Sequence, residues 1–283
     1  MGDLVSRSRA KVALVVAHPG HELRLATWIA RHQPLVFIVA KGARAGRSEA
    51  RIQASRVLAE ELGATAVEPL GMAFDSEIYD WIMRGEVQVF SNMVDDLRIA
   101  FIERGVERVV TDAWQNYNPV HDLTHALART AAAEASSAVG RWIEVLAYPV
   151  VMGSLANAPN GAEHSRIDLS PQEVTAKMTL VDRYPDIVED IRIMKDAVGG
   201  SAFDTETLHY PPPLGTLIAL CEDSPWYERY GEEKVLAGVY SNVLRWSHLA
   251  PIVAMLSNRL TAAEELWRNL DARRSVASPV NQA

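Results

Sequence analysis

The chain is poor in cysteine, since Cys221 is the single cysteine among 283 residues. One cysteine excludes an intrachain disulfide and a zinc cluster built from thiolates. Long apolar runs are also missing: no stretch approaches the ~20 residues of a membrane-spanning helix, and the N-terminal residues lack the apolar core of a signal peptide. These absences lead us to expect a cytoplasmic protein that has no membrane partner.

Positive charge is in deficit, with 28 Lys and Arg against 36 Asp and Glu and a formal net charge of −8. This balance argues against nucleic acid or an anionic membrane as a partner, although it leaves room for a local basic pocket. The hydrophobic content of 48% allows a sizeable core in one large domain or two small ones. We expect a small-molecule substrate, and a homo-oligomer remains open.

Short apolar runs alternate with helical patterns in the first half of the chain. The expected strands are Lys11–Ala17, Leu35–Ala40, Thr65–Leu70, Glu107–Thr111 and Trp142–Tyr148, and the expected helices are Glu22–Arg31, Arg47–Leu62, Glu86–Arg104 and His121–Ala138. Gly63 and Gly105 stand where helix C-terminal stops belong. The alternation predicts an α/β, Rossmann-like fold with a mainly parallel sheet and helices on both faces.

The clean alternation ends after Pro149, which suggests a different C-terminal part. We expect an N-terminal tail (1–10), a metal-binding core (11–150), a mixed C-terminal extension that completes the pocket (151–271) and a disordered tail (272–283). Within the extension, Ser170 and Glu173 form the capping-box pattern of a helix start. The aromatic segment Pro225–Tyr240 is interpreted as structural, with an oligomer contact or the lining of a sugar or aglycone pocket as alternatives.

Three histidines lie where ligands bind in this class of fold. His18 and His21 follow the first expected strand, and His121 follows the fourth. Ligands bind beyond the carboxyl ends of parallel strands, at the point where the strand order reverses. Three protein ligands with an open fourth position form the ligand set of a catalytic zinc. The spacing alone leaves ordinary core or surface histidines as the alternative.

Several motifs carry a resemblance to a known family. AHPGHE (Ala17–Glu22) resembles the AHPDDE signature of the LmbE-like, or PIG-L, deacetylases, which are zinc-dependent enzymes that remove N-acetyl groups from amino sugars. Ala40–Ala64 and Pro69–Ile78 resemble the next segments of that family in the same order. NPVH (Asn118–His121) stands where the family usually has HPDH. Beyond residue 150 the resemblance weakens, although Asp168–Asp186 resembles a lysine-bearing helix of the family.

The resemblance implies a metal site and two departures from the usual catalytic set. It implies that His18 and His121 bind zinc, or another divalent metal, and that His21 replaces an aspartate ligand. Gly20 stands where the family has its general-base aspartate. Asn118 replaces a histidine that stabilises the oxyanion, and it retains a hydrogen-bond donor for that role. The resemblance also implies that Arg51 and Asp75 contact the substrate.

Other candidates come from their positions near these loops. Asp112, at the end of the fourth expected strand, is a candidate for a relocated base or for orienting a ligand imidazole, with a capping role as the alternative. We expect Trp114 and Tyr117 to form pocket walls. Glu22 and His125 are expected to support the ligands from behind. Arg44 and Arg47 are candidates for a local anion pocket, with plain surface arginines as the alternative.

Three functions remain open at this point. The first is a metal-dependent hydrolase that removes an N-acyl (acetyl) group from an amino sugar or sugar-like metabolite with a non-standard base. The second is the same metal pocket catalysing a different hydrolytic or non-hydrolytic step in natural-product biosynthesis. The third is a catalytically degenerate, sugar-binding member of the family.

Overall fold

The computed structural model describes residues 10–42, 48–68, 71–151, 160–183, 188, 203–223 and 225–277. Within these ranges, seven strands form one sheet in the order β3-β2-β1-β4-β5-β7-β6. The strands are β1 (Val12–Val16), β2 (Leu35–Ile38), β3 (Thr65–Ala66), β4 (Arg108–Asp112), β5 (Glu144–Tyr148), β6 (Glu163–Asp168) and β7 (Thr205–His209). Strands β1 to β5 pair in parallel, whereas β7 is antiparallel to both β5 and β6. This topology confirms the expected α/β class with a mainly parallel sheet.

Nine α-helices accompany the sheet in the described part of the chain. They are α1 (Ala26–His32), α2 (Ser48–Glu61), α3 (Asp75–Arg84), α4 (Val87–Arg104), α5 (Pro119–Val139), α6 (Pro171–Val181), α7 (Leu214–Ala219), α8 (Trp226–Leu236) and α9 (Trp246–Ala277). Short 3-10 helices span His21–Leu25 and Leu220–Asp223. None of the helices in the described ranges has both the length and the apolar character needed to cross a membrane.

The core lies on both faces of the sheet, as the apolar strands require. One hydrophobic cluster joins residues of α4, α5 and α9, such as Phe101, Ala128 and Leu256, to one face of β1 and β4. A second cluster on the other face contains Trp28 of α1 and Ile52 of α2. Because every residue of β1 is buried, the strand reads as a continuous apolar run in the sequence.

Several expected elements differ from the structure. The single helix expected at Glu22–Arg31 is a 3-10 turn followed by α1. Strand β3 ends at Ala66 rather than Leu70, and residues 69 and 70 lie outside the described part. Helix α3 was not expected, and neither were β6 and β7. Helix α9 extends to Ala277, into the segment expected to be a tail; residues 1–9 and 278–283 lie outside the described residues.

The strand order places two loops side by side at one edge of the sheet. From β1 the chain moves to β2 on one side, and β4 later pairs with β1 on the other side, with Val15 opposite Thr111. The order therefore reverses between β1 and β4, which is where ligand crevices form in open parallel sheets. The loops that follow β1 and β4 carry His18, His21 and His121.

Candidate metal centre

The three histidines converge at the carboxyl edge of β1 and β4. One ring nitrogen from each of His18, His21 and His121 lies within 4.8 Å of the others. The ring centroids are 5.1 Å apart for His18 and His21, 5.1 Å for His18 and His121, and 4.5 Å for His21 and His121. Imidazole nitrogens that share one zinc ion each lie about 2.0–2.1 Å from it and therefore no more than about 4 Å from one another, so the three rings lie at the spacing of a candidate metal site.

Gly20 forms the turn that brings His18 and His21 together. Its φ of 103° lies in the left-handed region, which glycine adopts without a steric penalty. The backbone N–H of Gly20 donates to Oε2 of Glu22 over 2.7 Å, and Oε1 of Glu22 accepts from the Ser55 hydroxyl of α2. Glu22 is fully buried, so this carboxylate holds the turn that carries His18 and His21 against α2.

His121 reaches the same point from the first turn of α5. The side-chain oxygen of Asn118 caps that helix by accepting from Val120 N–H over 2.8 Å, and Pro119 occupies the first turn. Burial, followed by the nearby His21 and His18 rings, lowers the pKa of His121 well below its usual value. The ring therefore stays neutral, which is the state that binds a metal.

His121 also has an atom that a metal ion would satisfy. Its Nδ1 is buried and has no hydrogen-bond partner among the described residues. Buried polar nitrogens are nearly always paired, so an unpaired one needs an explanation. A divalent cation shared by the three rings supplies one, and a ligand set of imidazoles suits zinc and several transition metals. The residues present therefore fit a metal ion.

Two carboxylates orient the ligand rings. Nε2 of His18 lies 2.8 Å from Oδ1 of Asp75, and Nδ1 of His21 lies 2.7 Å from Oδ2 of Asp112. A carboxylate on one ring nitrogen fixes the imidazole, and the opposite nitrogen of His18 or His21 would then be the one to bind a metal. This pattern of carboxylate, histidine and metal is common in zinc sites and makes the imidazole a better ligand.

Asp112 is placed to orient His21 rather than to face a substrate. It is fully buried at the end of β4, and its Oδ2 also accepts from Ala17 N–H over 2.9 Å. Burial alone would raise the pKa of Asp112, but the His21 ring and these hydrogen bonds outweigh it and hold the pKa below its usual value. Asp112 is therefore an ionised carboxylate, and its contacts favour the orienting role over that of a relocated base.

The other predicted residues lie around the triad in different ways. The Arg51 guanidinium donates to the Pro19 carbonyl over 2.8 Å and so contacts the loop that carries His18 and His21. His125 is buried, and its Nδ1 donates to the Asp112 carbonyl over 2.8 Å. Burial and then Arg129 lower the pKa of His125 to about 3, so it supports the end of β4 as a neutral ring.

The two predicted pocket walls have different surroundings. Trp114 is buried in the core, where it packs against His125 and Trp246 with centroid distances of 6.4 Å, so it does not reach the open side of the site. Tyr117 is partly exposed, and its ring centroid lies 6.4 Å from that of His121. Arg44 and Arg47 lie outside the described residues.

Tyr79 is a site residue that the sequence reasoning missed. It lies one turn after Asp75 in α3, and its phenol is close enough to the Asn118 side chain to hydrogen-bond with it. Burial, followed by Asp75, raises the pKa of Tyr79, so its hydroxyl remains protonated. The i, i+4 spacing of Asp75 and Tyr79 would have indicated this residue if α3 had been expected.

Known proteins were found to be similar in structure only. No family model and no curated protein matches the chain. The A40926 pseudoaglycone deacetylase is 15% identical, with 72% of this chain and 99% of that chain covered and a TM-score of 0.49. A triple mutant of a deacetylase of the teicoplanin biosynthetic pathway is 16% identical, with 70% and 98% covered and a TM-score of 0.48. A 4-carboxy-2-hydroxymuconate hydratase from Pseudomonas putida is 20% identical, with 70% and 95% covered and a TM-score of 0.44.

These similarities concern the fold. Two of the similar structures are deacetylases and one is a hydratase, at identities between 15% and 20%. One fold supports many chemistries, so a likeness at this level assigns neither a reaction nor residue roles to the present chain. The chemistry has to be argued from the three histidines and their partners.

Proposed function

We propose that this chain is a zinc-dependent hydrolase of the LmbE-like (PIG-L) type that removes an N-acyl group, such as acetyl, from an amino sugar or sugar-like metabolite. The observation that carries the proposal is the convergence of one nitrogen each from His18, His21 and His121 within 4.8 Å. The AHPGHE and NPVH segments support the reaction class, because they resemble the metal-binding segments of that family in the same order.

The ligand set explains how hydrolysis can proceed without the family's usual base. His18, His21 and His121 would hold a divalent ion, which when bound would polarise a carbonyl oxygen and lower the pKa of water to about 7, reducing the need for a strong general base. Gly20 offers no side chain. Asp75 and Asp112, the carboxylates on the ligand rings, are each bonded to an imidazole. Their role is therefore to hold the rings in position.

Two further residues are placed to act on the amide. The Asn118 oxygen is occupied by Val120 N–H, so its NH₂ group is the part that can donate to a developing oxyanion. Tyr79, beside Asn118, provides a second donor that stays protonated. Arg51 fixes the ligand loop through Pro19 and has further N–H groups that suit the hydroxyl or anionic groups of a sugar-like substrate.

Metal analysis combined with an acetate-release assay tests the proposal. The purified protein should contain about one zinc ion per chain and release acetate from members of a panel of N-acetyl amino sugars. His18→Ala and His121→Ala should lose both the metal and the activity, because each removes one of three ligands. His164→Ala is the matched control, since His164 is a partly exposed histidine bonded to Tyr210. Turnover by a metal-free preparation would contradict the proposal.

The missing base favours a second candidate, in which the same pocket catalyses a different step of natural-product biosynthesis. Its support is that Gly20 has no carboxylate and that Asp75 and Asp112 are engaged. Gly20→Asp separates the two candidates, once metal content shows that the turn at φ 103° tolerates the change. A strong rise in acetate release supports the deacetylase, whereas activity that falls supports the other reaction. A protein that binds sugars without metal or turnover would match the third function.

A further inference from the structure

A cavity of about 240 Å³ lies against α5, away from the histidine triad. Arg129, which lines it, stands eight positions after His121 on α5, and that spacing corresponds to about 12 Å along a helix. The cavity borders Glu144 at the start of β5, whereas the triad lies beyond the opposite ends of the strands. Its charged lining residues are Arg129, Glu144 and Glu264, and its apolar ones include Trp142, Ile143 and Leu260.

Arg129 brings a positive charge to this cavity without a carboxylate at close range. Its Nη1 donates to the Pro212 carbonyl over 2.7 Å and lies 3.5 Å from Nε2 of His125. In the part of the chain that the structure describes, none of the ion pairs includes this guanidinium. Burial lowers the pKa of Arg129 to about 10, and Glu264 partly opposes the shift, so the side chain is charged at neutral pH. Because buried charges are normally paired, Arg129 indicates an anionic partner in the cavity.

Glu264 brings the opposite charge and is only weakly paired. Its carboxylate lies 3.9 Å from the Arg268 guanidinium, one helical turn further along α9, and 36% of its side chain is exposed. Glu144 differs, because its carboxylate lies 2.6 Å from the Arg108 guanidinium and is neutralised there. The cavity therefore presents one cation without a close counter-ion, Arg129, and one weakly neutralised anion, Glu264.

The size and the remaining lining of the cavity restrict the ligand further. Ile143 and Leu260 are buried, and Trp142 lies at the surface with 43% exposed. A volume of 240 Å³ equals the share of about eight waters in the liquid and is below the range of about 300–1,000 Å³ for drug-sized ligands. A nucleotide or an oligosaccharide is therefore too large. A phosphate or sulfate ion would leave the apolar lining uncovered and would be repelled by Glu264.

We propose that this cavity binds a free α-amino acid with an apolar side chain. Arg129 pairs with the carboxylate of the amino acid, and Glu264 pairs with its ammonium group. The side chain lies against the apolar lining. A zwitterion satisfies both charges and adds no net charge, whereas an anion or a cation satisfies one and is repelled by the other. The site is separate from the triad and goes beyond the proposed function, so it does not depend on the reaction at the histidines.

Calorimetry on the full chain compares L-phenylalanine with two probes that each lack one of its charges. 3-Phenylpropionate has no ammonium group, and 2-phenylethylamine has no carboxylate. We expect one molecule of L-phenylalanine to bind per chain. Each of the other two probes should bind at least about tenfold more weakly, because a hydrogen bond between charged groups contributes about tenfold or more to an affinity.

Two substitutions locate the site. Arg129→Gln and Glu264→Gln should each weaken the binding of L-phenylalanine about tenfold, since each removes one of the two charges. Glu264→Gln should not weaken the binding of 3-phenylpropionate, which has no ammonium group for Glu264 to bind. Glu264 is partly exposed, so this variant retains the fold even if Arg129→Gln does not. Glu265→Gln is the matched control, because Glu265 is an exposed neighbour on α9 that does not line the cavity.

Three results would overturn the proposal. The first is no heat of binding with millimolar L-phenylalanine. The second is an equal affinity for L-phenylalanine and for either of the other two probes. The third is an affinity for L-phenylalanine that is unchanged in Glu264→Gln, which is also the result expected if the amino acid binds at the triad.

Discussion

The hydrogen bond between Asp112 and His21 allows a direct test of the metal centre. Oδ2 of Asp112 accepts from both Ala17 N–H, at 2.9 Å, and His21 Nδ1, at 2.7 Å. Because both bonds end on one oxygen, Asp112→Asn can keep them with its single oxygen; it loses the charge and places an NH₂ group where the buried Oδ1 lies near Tyr148. Charge-assisted bonds contribute ~1.5–3 kcal/mol and are about twice as strong as neutral ones. The substitution should therefore cost about 1–1.5 kcal/mol of metal binding.

This loss corresponds to a zinc affinity that is about tenfold weaker. Asp112→Ala also removes the hydrogen bond that holds the His21 ring, so it should weaken the zinc affinity about 100-fold. Competition with a coloured chelator measures the affinity, and thermal unfolding in excess chelator verifies the fold. Asp168→Asn is the control, since Asp168 is an exposed carboxylate of β6 that pairs with Arg166. A folded Asp112→Asn protein with the zinc affinity of the unchanged chain would refute the orienting role.

Three further predictions concern stability. Lys177→Ala should lower the free energy of unfolding, measured in urea, by about 3–5 kcal/mol, because the buried Glu206 carboxylate loses the ammonium that lies 2.7 Å away. A loss below about 1 kcal/mol would contradict this. Arg259→Lys should lower the free energy of unfolding by about 1 kcal/mol, because lysine cannot replace the guanidinium that binds both oxygens of Glu134 at 2.7 and 2.8 Å. The loss should be smaller at high salt, since the contact lies on a partly exposed face. An effect independent of salt would argue against an ionic contribution. Burial raises the pKa of Asp122 to about 8, whereas the pKa is about 3.9 in an unfolded chain. Between these two values only the folded state keeps the proton, so the free energy of unfolding falls as the pH rises from about 4 to 8. Asp122→Asn should flatten this dependence in urea melts of chelator-treated protein at pH 5 and pH 8, and an unchanged difference would refute the assignment.

The parallel half of the sheet could be predicted because its strands are buried on both faces. Strand β1 is buried along its whole length, and β4 is buried from Val109 to Asp112, so both read as apolar runs between helices. The helices α2, α4 and α5 begin and end within two residues of the expected limits. In such a sheet, the apolar run in the sequence matches the burial of the strand in the folded protein.

Strands β6 and β7 could not be predicted because their pattern reflects partners elsewhere in the chain. β6 reads Glu-His-Ser-Arg-Ile-Asp and lies at the edge of the sheet with no residue fully buried. In β7, the inward-facing Glu206 accepts from Thr27 N–H and Trp28 N–H at the start of α1, and from Lys177 of α6. From the sequence alone, Glu206 looks like a surface residue, because the helix whose N–H groups it binds lies far away along the chain.

The meeting of the three histidines could be predicted, and an orienting role for Asp112 was one of two alternatives, whereas the contact of Asp75 with His18 could not be predicted. His18, His21 and His121 follow strand ends, and that position is visible in the sequence. The contact of Asp75 with His18 spans 57 positions, and that of Asp112 with His21 spans 91. Trp114 was expected to line the pocket from its place in the loop, yet its side chain turns into the core. Loop position predicts proximity, whereas the direction of a side chain depends on packing.

The resemblance and the structure together indicate how the charge of this site is arranged. In the family that the sequence resembles, a carboxylate is itself a ligand, whereas in this structure the Asp112 carboxylate lies behind the His21 ring at 2.7 Å. The negative charge is thus one imidazole further from the metal position, while Asp75 and Asp112 together still match a divalent cation. A divalent ion held by the three imidazoles would act more strongly on its open position than one bound directly by a carboxylate, because Coulomb energy falls with distance. Under the proposed function, this effect would act in the direction that compensates for the absence of a carboxylate at Gly20.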